Sequence, residues 1–335
     1  MKMGFFEAWV GKLLSIPGRA RLSVLIYHQV LPEPDPLRRG AVDTVAFERH
    51  MAIVKQHFSV LPLTEAVQRL HQGDLPARAL CVTFDDGYQD NVINALPVLR
   101  RHNLCASFFI ASGYLDGGRM WNDTVIDAVG HAPGPVLDLS EQGLGCYNLS
   151  TLESRRQAAI ALIAQLKYSN EAMRQEGVAY VLEMAGNPPL SSPMMNRTDV
   201  VTLRQSGMEI GGHTRSHPIL ARLSLERARE EITSNKEELE GILGEHIHLF
   251  AYPNGKPGVD FGQEHIEIVR AAGYKAAVTT ARGAAQRGAD PYQIPRFTPW
   301  DRTPLRFVAR LAENALRYRP VNCPYIIEKA QITHL

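Results

Sequence analysis

The chain is expected to fold as an α/β protein with about seven or eight strands, enough to close into a barrel, carrying a mostly helical insertion. Three observations predict it. Short apolar runs alternate with amphipathic stretches from residue 22 onward, the pattern of strands feeding helices in a layered fold. Two of those runs, ALCVTF and CASFFI, are apolar almost without interruption, as strands buried on both faces of a parallel sheet must be. The alternation then breaks between about 112 and 205 and resumes afterwards, which places an insertion between strands of one body. At 335 residues the chain is at the upper edge of one ordinary domain, so one large barrel with an embellishment is a better expectation than two equal halves.

The elements follow in order. LSVLIY is the first strand, and 45–58 repeats apolar residues at helical spacing. ALCVTF and CASFFI flank a helix at 91–101. After the break come the strand MEIGG, a helix at 225–243, the strand HIHLFAY, a helix at 262–272, the strand YKAAVTT, and YQIPRF ahead of a last helix at 303–316. Within the insertion, 130–145 is a Gly/Pro-rich loop, a long helix opens with a capping box from Ser150 to Glu153, and GNPPLSSP is a second loop. Residues 1–21 form an N-terminal amphipathic segment, 22–320 the barrel with its insertion, and 321–335 a tail. No internal repeat supports a solenoid.

Lys and Arg number 36 against 35 for Asp and Glu, a formal net charge of +1 that gives no global attraction to nucleic acid or acidic lipid. Arg100–Arg101 and Arg155–Arg156 sit in helical sequence and make no patch. Cys81, Cys105, Cys146 and Cys323 form no C-x-x-C pair, and Cys81 and Cys105 fall in strand-like runs where a thiol acts as a small buried hydrophobe. Glu7, Lys12 and Arg19 interrupt the N-terminus too often for a signal peptide, and no run is long enough to span a bilayer. A cytoplasmic location is expected. Phe5, Phe6, Trp9, Val10, Leu13 and Leu14 make one apolar helical face within 4–15, for packing on the body or for peripheral contact with the inner membrane or a protein partner.

Chemistry concentrates at the strand ends. CVTFDDGYQD ends a strand in Asp85 and Asp86, where Gly87 can turn the backbone so that both carboxylates reach one cleft; adjacent buried acids are costly unless a cation takes one of them. EIGGHTRSHP sets His213 and His217 four residues apart, on one side of the segment if it turns helically, which with Asp86 makes a two-His, one-carboxylate set. Zinc suits these donors, and Co²⁺, Ni²⁺, Fe²⁺ or Mn²⁺ share the ligand types. LFAYPNGKPG brings another strand into a turn where Asn254 and Gly255 can offer backbone N–H groups to an oxyanion, and VLIYHQV ends the first strand in His28, a histidine placed for proton transfer. HExxH and G-x-S-x-G are both absent, so a zincin peptidase and a serine hydrolase lack their signatures.

TFDDGYQDN, EIGGHTRSHPIL and FAYPNG, in this order, resemble the polysaccharide deacetylase family, also known as the NodB-homology or carbohydrate esterase family 4 proteins. LIYHQV and IPRF resemble its poly-N-acetylglucosamine deacetylase-like branch. The resemblance covers roughly 22–112 and 200–300. It implies a distorted (β/α) barrel of about seven strands with its site at the C-terminal strand ends, Asp85 as base, Asp86, His213 and His217 as metal ligands, Asn254 as oxyanion donor and His28 as catalytic acid. Two departures stand out: Ala251 occupies the place of the family's arginine, and no Leu-x-x-His motif follows. Either the chain is a catalytically silent carbohydrate-binding relative, or His28 replaces the late histidine and Arg296 of IPRF replaces the arginine. Trp300 and Asp301 are candidates for shaping the cleft, and Trp121 for stacking on a sugar. The implied activity is metal-dependent removal of N-acetyl groups from an amino sugar in a surface polysaccharide or its precursor, with a lipid-linked sugar, a nucleotide-linked sugar or a small acylated amine as alternative substrates.

Overall fold

The computed structural model describes residues 21–299, 301 and 303–316. The expectations for 4–15, Trp300, Cys323 and the tail therefore lie outside the described residues. Seven parallel strands make the sheet: β1 (Arg21–Tyr27), β2 (Ser59–Val60), β3 (Ala79–Phe84), β4 (Ser107–Ile110), β5 (Glu209–Gly212), β6 (Leu249–Ala251) and β7 (Ala276–Val278). The short β8 (Ala285–Gln286) runs antiparallel to β1. Across the sheet the order is β7, β6, β5, β4, β3, β1 and β8, while β2 pairs with the first half of β3 on the edge whose second half pairs with β4.

The sheet curls until its ends nearly meet, and the IPRF segment fills the gap. Ile294 bridges Val278 and Phe297 bridges Leu25, both in parallel sense. The Ile26 N–H donates to the Phe297 carbonyl at 3.1 Å, and the Ile294 N–H donates to that of Ala277 at 3.0 Å. Closure satisfies the strand edges that an open sheet would leave bare.

Strand alternation sorts the core. Val24, Cys81, Phe109, Leu249, Ala251, Ala276 and Val278 fill the inside of the curl. Leu25, Tyr27, Val82, Phe84, Phe108, Ile210 and Phe250 face the helices outside. Those helices include α1 (Thr44–His57), capped by the Asp43 carboxylate accepting from the Ala46 N–H at 2.9 Å. The next, α2 (Leu63–Gln72), has no cap of its own, and Glu209 of β5 accepts from its Leu63 and Thr64 N–H groups. A π-helical turn at Asn91–Ala95 leads into α3 (Leu96–Arg101).

The interruption is as expected mostly helical, with α4 (Trp121–His131), α5 (Leu152–Lys167) and α6 (Glu171–Met184) around their own apolar core of Val125, Val129, Leu162, Leu166 and Val181. Two details differ. The Gly/Pro-rich stretch is a small antiparallel hairpin, Val136–Asp138 against Cys146–Asn148. The capping box of α5 runs from Thr151 to Ser154 rather than from Ser150 to Glu153, because the Thr151 hydroxyl is the one that meets the third N–H of the helix. Chain then returns through α7 (Arg197–Gln205) to β5, and α8 (Leu225–Leu243), α9 (Gln263–Ala271) and α10 (Pro304–Leu316) complete the shell. Cys81 is buried as expected, but Cys105 precedes β4 and is half-buried. Among the described residues no helix is long and apolar enough to cross a membrane.

Candidate active site

Asp85, Asp86, His213 and Asn254 all follow strand ends at the C-terminal mouth of the barrel, and Arg296 reaches Asp85 from the closing segment 294–297. The Asp85 N–H still pairs with the Tyr27 carbonyl, continuing the β1–β3 ladder, but at Asp86 the backbone swings to φ +79° and at Gly87 to +91°. A left-handed conformation at a non-glycine residue costs of order 1–3 kcal/mol. It lets two consecutive carboxylates enter one cleft instead of opposite faces.

Asp85 lies against Arg296, with Nη1 to Oδ1 and Nη2 to Oδ2 both at 2.7 Å. The guanidinium is wholly buried; it also donates to the Thr83 hydroxyl at 3.1 Å and the Thr279 carbonyl at 3.2 Å, and sits 5.4 Å from the Phe109 ring centroid. Such a planar two-bond pair fixes the carboxylate in orientation as well as in charge. Burial alone would raise the Asp85 carboxyl, but Arg296, with His213 and His28 nearby, holds it below the usual range.

The other carboxylate faces histidines. Asp86 Oδ1 is 3.4 Å from His213 Nε2 and 3.5 Å from His217 Nε2, and it is buried without a hydrogen-bond partner. One donor atom from each of the three residues lies within 4.8 Å of the others. His213 donates from Nδ1 to the Ala251 carbonyl at 2.7 Å, which in the neutral imidazole leaves the Nε2 lone pair free on the side of Asp86. Metal-ligating histidines are held in this way. An orphaned buried oxygen, two imidazoles and a fixed tautomer fit a divalent ion. Burial pushes His217 down to about 4, so its neutral, ligating form prevails at neutral pH. His213 moves upward because Asp85 and Asp86 outweigh its own burial, and burial of Asp86 is likewise outweighed by His213 and His217, which lower it.

The histidines do not share a helix face, as spacing alone suggested. Residues 213–217 form an irregular loop with φ +61° at Thr214 and +55° at His217. Glu231 of α8 shapes it, accepting from the Arg215 and Ser216 N–H groups and the Ser216 hydroxyl. Asn235, one turn on, accepts from the His213 N–H at 3.0 Å and donates to Ile110 and Ser112. Sequence reading missed both residues. Their signal was present: Glu231, Asn235 and Glu238 interrupt, at helical spacing, the apolar face formed by Ala228, Ile232 and Leu239.

His28 is exposed at the rim, close enough that its charge lowers both Asp85 and Asp86. Asn254 lies in the turn after β6 with φ +59°, its carbonyl taking the Thr280 hydroxyl at 2.7 Å. Asp301 does not join the cleft: its carboxylate holds Arg310 and its carbonyl takes His50 Nε2 at 2.7 Å, tying α10 to α1. Trp121 packs on the insertion's core, with the Arg174 guanidinium 5.6 Å from its ring centroid. The insertion meets the barrel where the Tyr88 hydroxyl donates to Asp123 at 2.9 Å.

A curled sheet of seven parallel strands with helices around it is the fold of the NodB-like (β/α) barrels. More specifically, residues 72–144 and 147–277 match the polysaccharide deacetylase family model, and the chain belongs to that family. It is similar to YxkH of Bacillus subtilis (strain 168), at 24% identity over 279 residues, 83% of this chain and 71% of that one. Among solved structures, the Streptococcus pyogenes deacetylase PplD in complex with acetate superposes with a TM-score of 0.59 at 18% identity, covering 89% of this chain and 99% of that one. IcaB from Ammonifex degensii superposes with a TM-score of 0.58 at 21% identity, covering 88% and 97%. A de-N-acetylase from Aggregatibacter actinomycetemcomitans gives 0.56 at 16%, covering 87% and 99%. These likenesses show the shared fold.

Proposed function

We propose that the protein hydrolyses the N-acetyl amide of an amino sugar in a surface polysaccharide or one of its precursors, releasing acetate and the free amine. The observation that carries this reading is the bidentate Arg296–Asp85 pair beside the cluster of Asp86, His213 and His217. One carboxylate is held charged with its orientation fixed, while the other is left for a cation. That division of labour is what hydrolysis by an activated water needs. It also bears on the first departure from the family pattern, since Arg296 of the closing segment would supply the arginine that Ala251 lacks.

Asp86, His213 and His217 would hold a divalent ion, zinc by donor type, which when bound supplies Lewis acidity to an amide carbonyl and to water. Asp85 accepts the proton of the attacking water, and Arg296 keeps it ionised and aimed. The Asn254 backbone N–H would donate to the oxyanion that develops on the acetyl carbonyl oxygen. His28, at the rim, gives a proton to the departing amine, because an amide nitrogen leaves badly as an anion.

Acetate release from N-acetylglucosamine oligomers and from a nucleotide-linked N-acetyl sugar, by protein reconstituted with zinc or cobalt, tests the reading. Release that disappears in Asp85→Asn supports it, and the preferred substrate separates polymer from precursor. No release from either, with stoichiometric metal bound, refutes it.

A further inference from the structure

The loop that carries His28 is fastened by three side chains of one segment. Asn91 Nδ2 donates to the His28 carbonyl at 2.7 Å. Asp90 Oδ1 accepts from the Val30 N–H at 3.1 Å, and Asn94 Nδ2 donates to the Val30 carbonyl at 2.7 Å. Asn91 Nδ2 also reaches Asp90 Oδ1 at 2.8 Å, so two of the three are locked to each other. Asn91 is wholly buried, and its Oδ1 has no hydrogen-bond partner, an arrangement that costs stability unless it serves something else. The asparagines lie in the π-helical turn Asn91–Ala95, a widened turn that is rare in helices and recurs at functional sites. The same ten-residue stretch that begins with Asp85 and Asp86 thus ends by gripping the backbone at His28 and Val30.

We infer that Asp90, Asn91 and Asn94 are positioning residues that set the His28 imidazole over the Asp85–Asp86 cleft, where it protonates the leaving amine. The inference rests on the reading of His28 as the general acid. Exposed at a rim, that side chain has little packing of its own to hold it, and a proton donor displaced by about 1 Å can lose on the order of 100-fold in rate. The oxygen of residue 90 is needed as an acceptor, so an amide at that position suffices.

The test compares two substrates that differ in their demand for an acid. Hydrolysis of an N-acetylglucosamine oligomer requires protonation of the leaving nitrogen, whereas 4-nitrophenyl acetate releases a stable phenolate. Zinc-loaded Asn91→Ala, Asn94→Ala, Asp90→Asn, His28→Gln and the Asn91→Ala/His28→Gln double variant are assayed on both, with metal content and circular dichroism recorded. Expected is a fall of about 10- to 100-fold in kcat on the amide for Asn91→Ala, a KM within about 2-fold, and unchanged ester turnover. His28→Gln shows the same selectivity, the double variant is no worse than His28→Gln alone, and Asp90→Asn stays near wild type. Parallel loss on amide and ester, or additive losses in the double variant, overturns the positioning role while leaving His28 as the acid. An unchanged amide-to-ester ratio in His28→Gln overturns the acid reading and the positioning role together.

Discussion

Inside the barrel mouth Asp85 and Arg296 are both out of water, and each is tolerable there only because of the other. Arg296→Met leaves an uncompensated buried carboxylate and is expected to cost about 3–5 kcal/mol in chemical denaturation. Because the folded-state pKa of Asp85 is depressed, the pair stabilises the protein above the unfolded carboxyl value and that contribution is lost as pH falls through the folded one. The stability gap between wild type and Arg296→Met should therefore be full at neutral pH and shrink on strong acidification. Two other acids, the half-buried Asp90 and the buried Asp123, have the opposite sign. Burial pushes Asp90 up to about 7 and Asp123 to about 6. Each opposes folding as pH rises from about 4, where the unfolded carboxyl ionises, to its folded value. Asp90→Asn, which keeps the acceptor oxygen, should raise the Tm at pH 8 and leave it unchanged near pH 4. A Tm difference independent of pH would contradict this.

The elements around the site are fitted to one another so closely that two glycines are obligatory. A Cβ on Gly212 would lie 2.2 Å from the Tyr274 hydroxyl and 2.5 Å from Asn235 Oδ1, and one on Gly211 would lie 2.7 Å from the Phe109 ring and 2.8 Å from the Leu249 carbonyl. Asn235 is the acceptor for the His213 N–H, so displacing it moves a metal ligand. Gly212→Ala is expected to destabilise the fold by about 1–3 kcal/mol, as overpacking does, and to weaken metal binding in calorimetric titration. Retained metal affinity in a destabilised variant would show that Asn235 does not govern His213. The strand MEIGG was legible as a strand ending in glycines. The helix residues beside those glycines were legible only as polar breaks in an apolar face, at Glu231 and Asn235, because the pattern does not name what such a break contacts.

At the scale of the whole molecule, the proposed ion joins β3 with the loop after β5. An ion that binds only the folded state stabilises it by mass action, about 2.7 kcal/mol at a free concentration 100 times Kd. Chelation should lower the Tm of wild type and of Asp85→Asn alike, whereas Asp86→Asn, His213→Ala and His217→Ala should show no response to added zinc. A zinc response lost in Asp85→Asn as well would mean that both carboxylates ligate.

The sequence by itself determined the alternation of strands and helices, the parallel sheet, the break at 112–205 and the residues gathered at the strand ends. Each of these is local: a period, a spacing, or a turn residue beside a strand. Tertiary structure decided how those residues meet. Closure of the curl by 294–297 brings Arg296 onto Asp85 across 211 positions of chain. Left-handed backbone at Thr214 and His217, in a loop held by Glu231, replaces the helical turn that a four-residue spacing suggested. Asp301 is drawn to Arg310 and away from the cleft for the same reason. Periodicity encodes which face a residue takes on its own element, but the partner across the barrel is set by how the sheet curls.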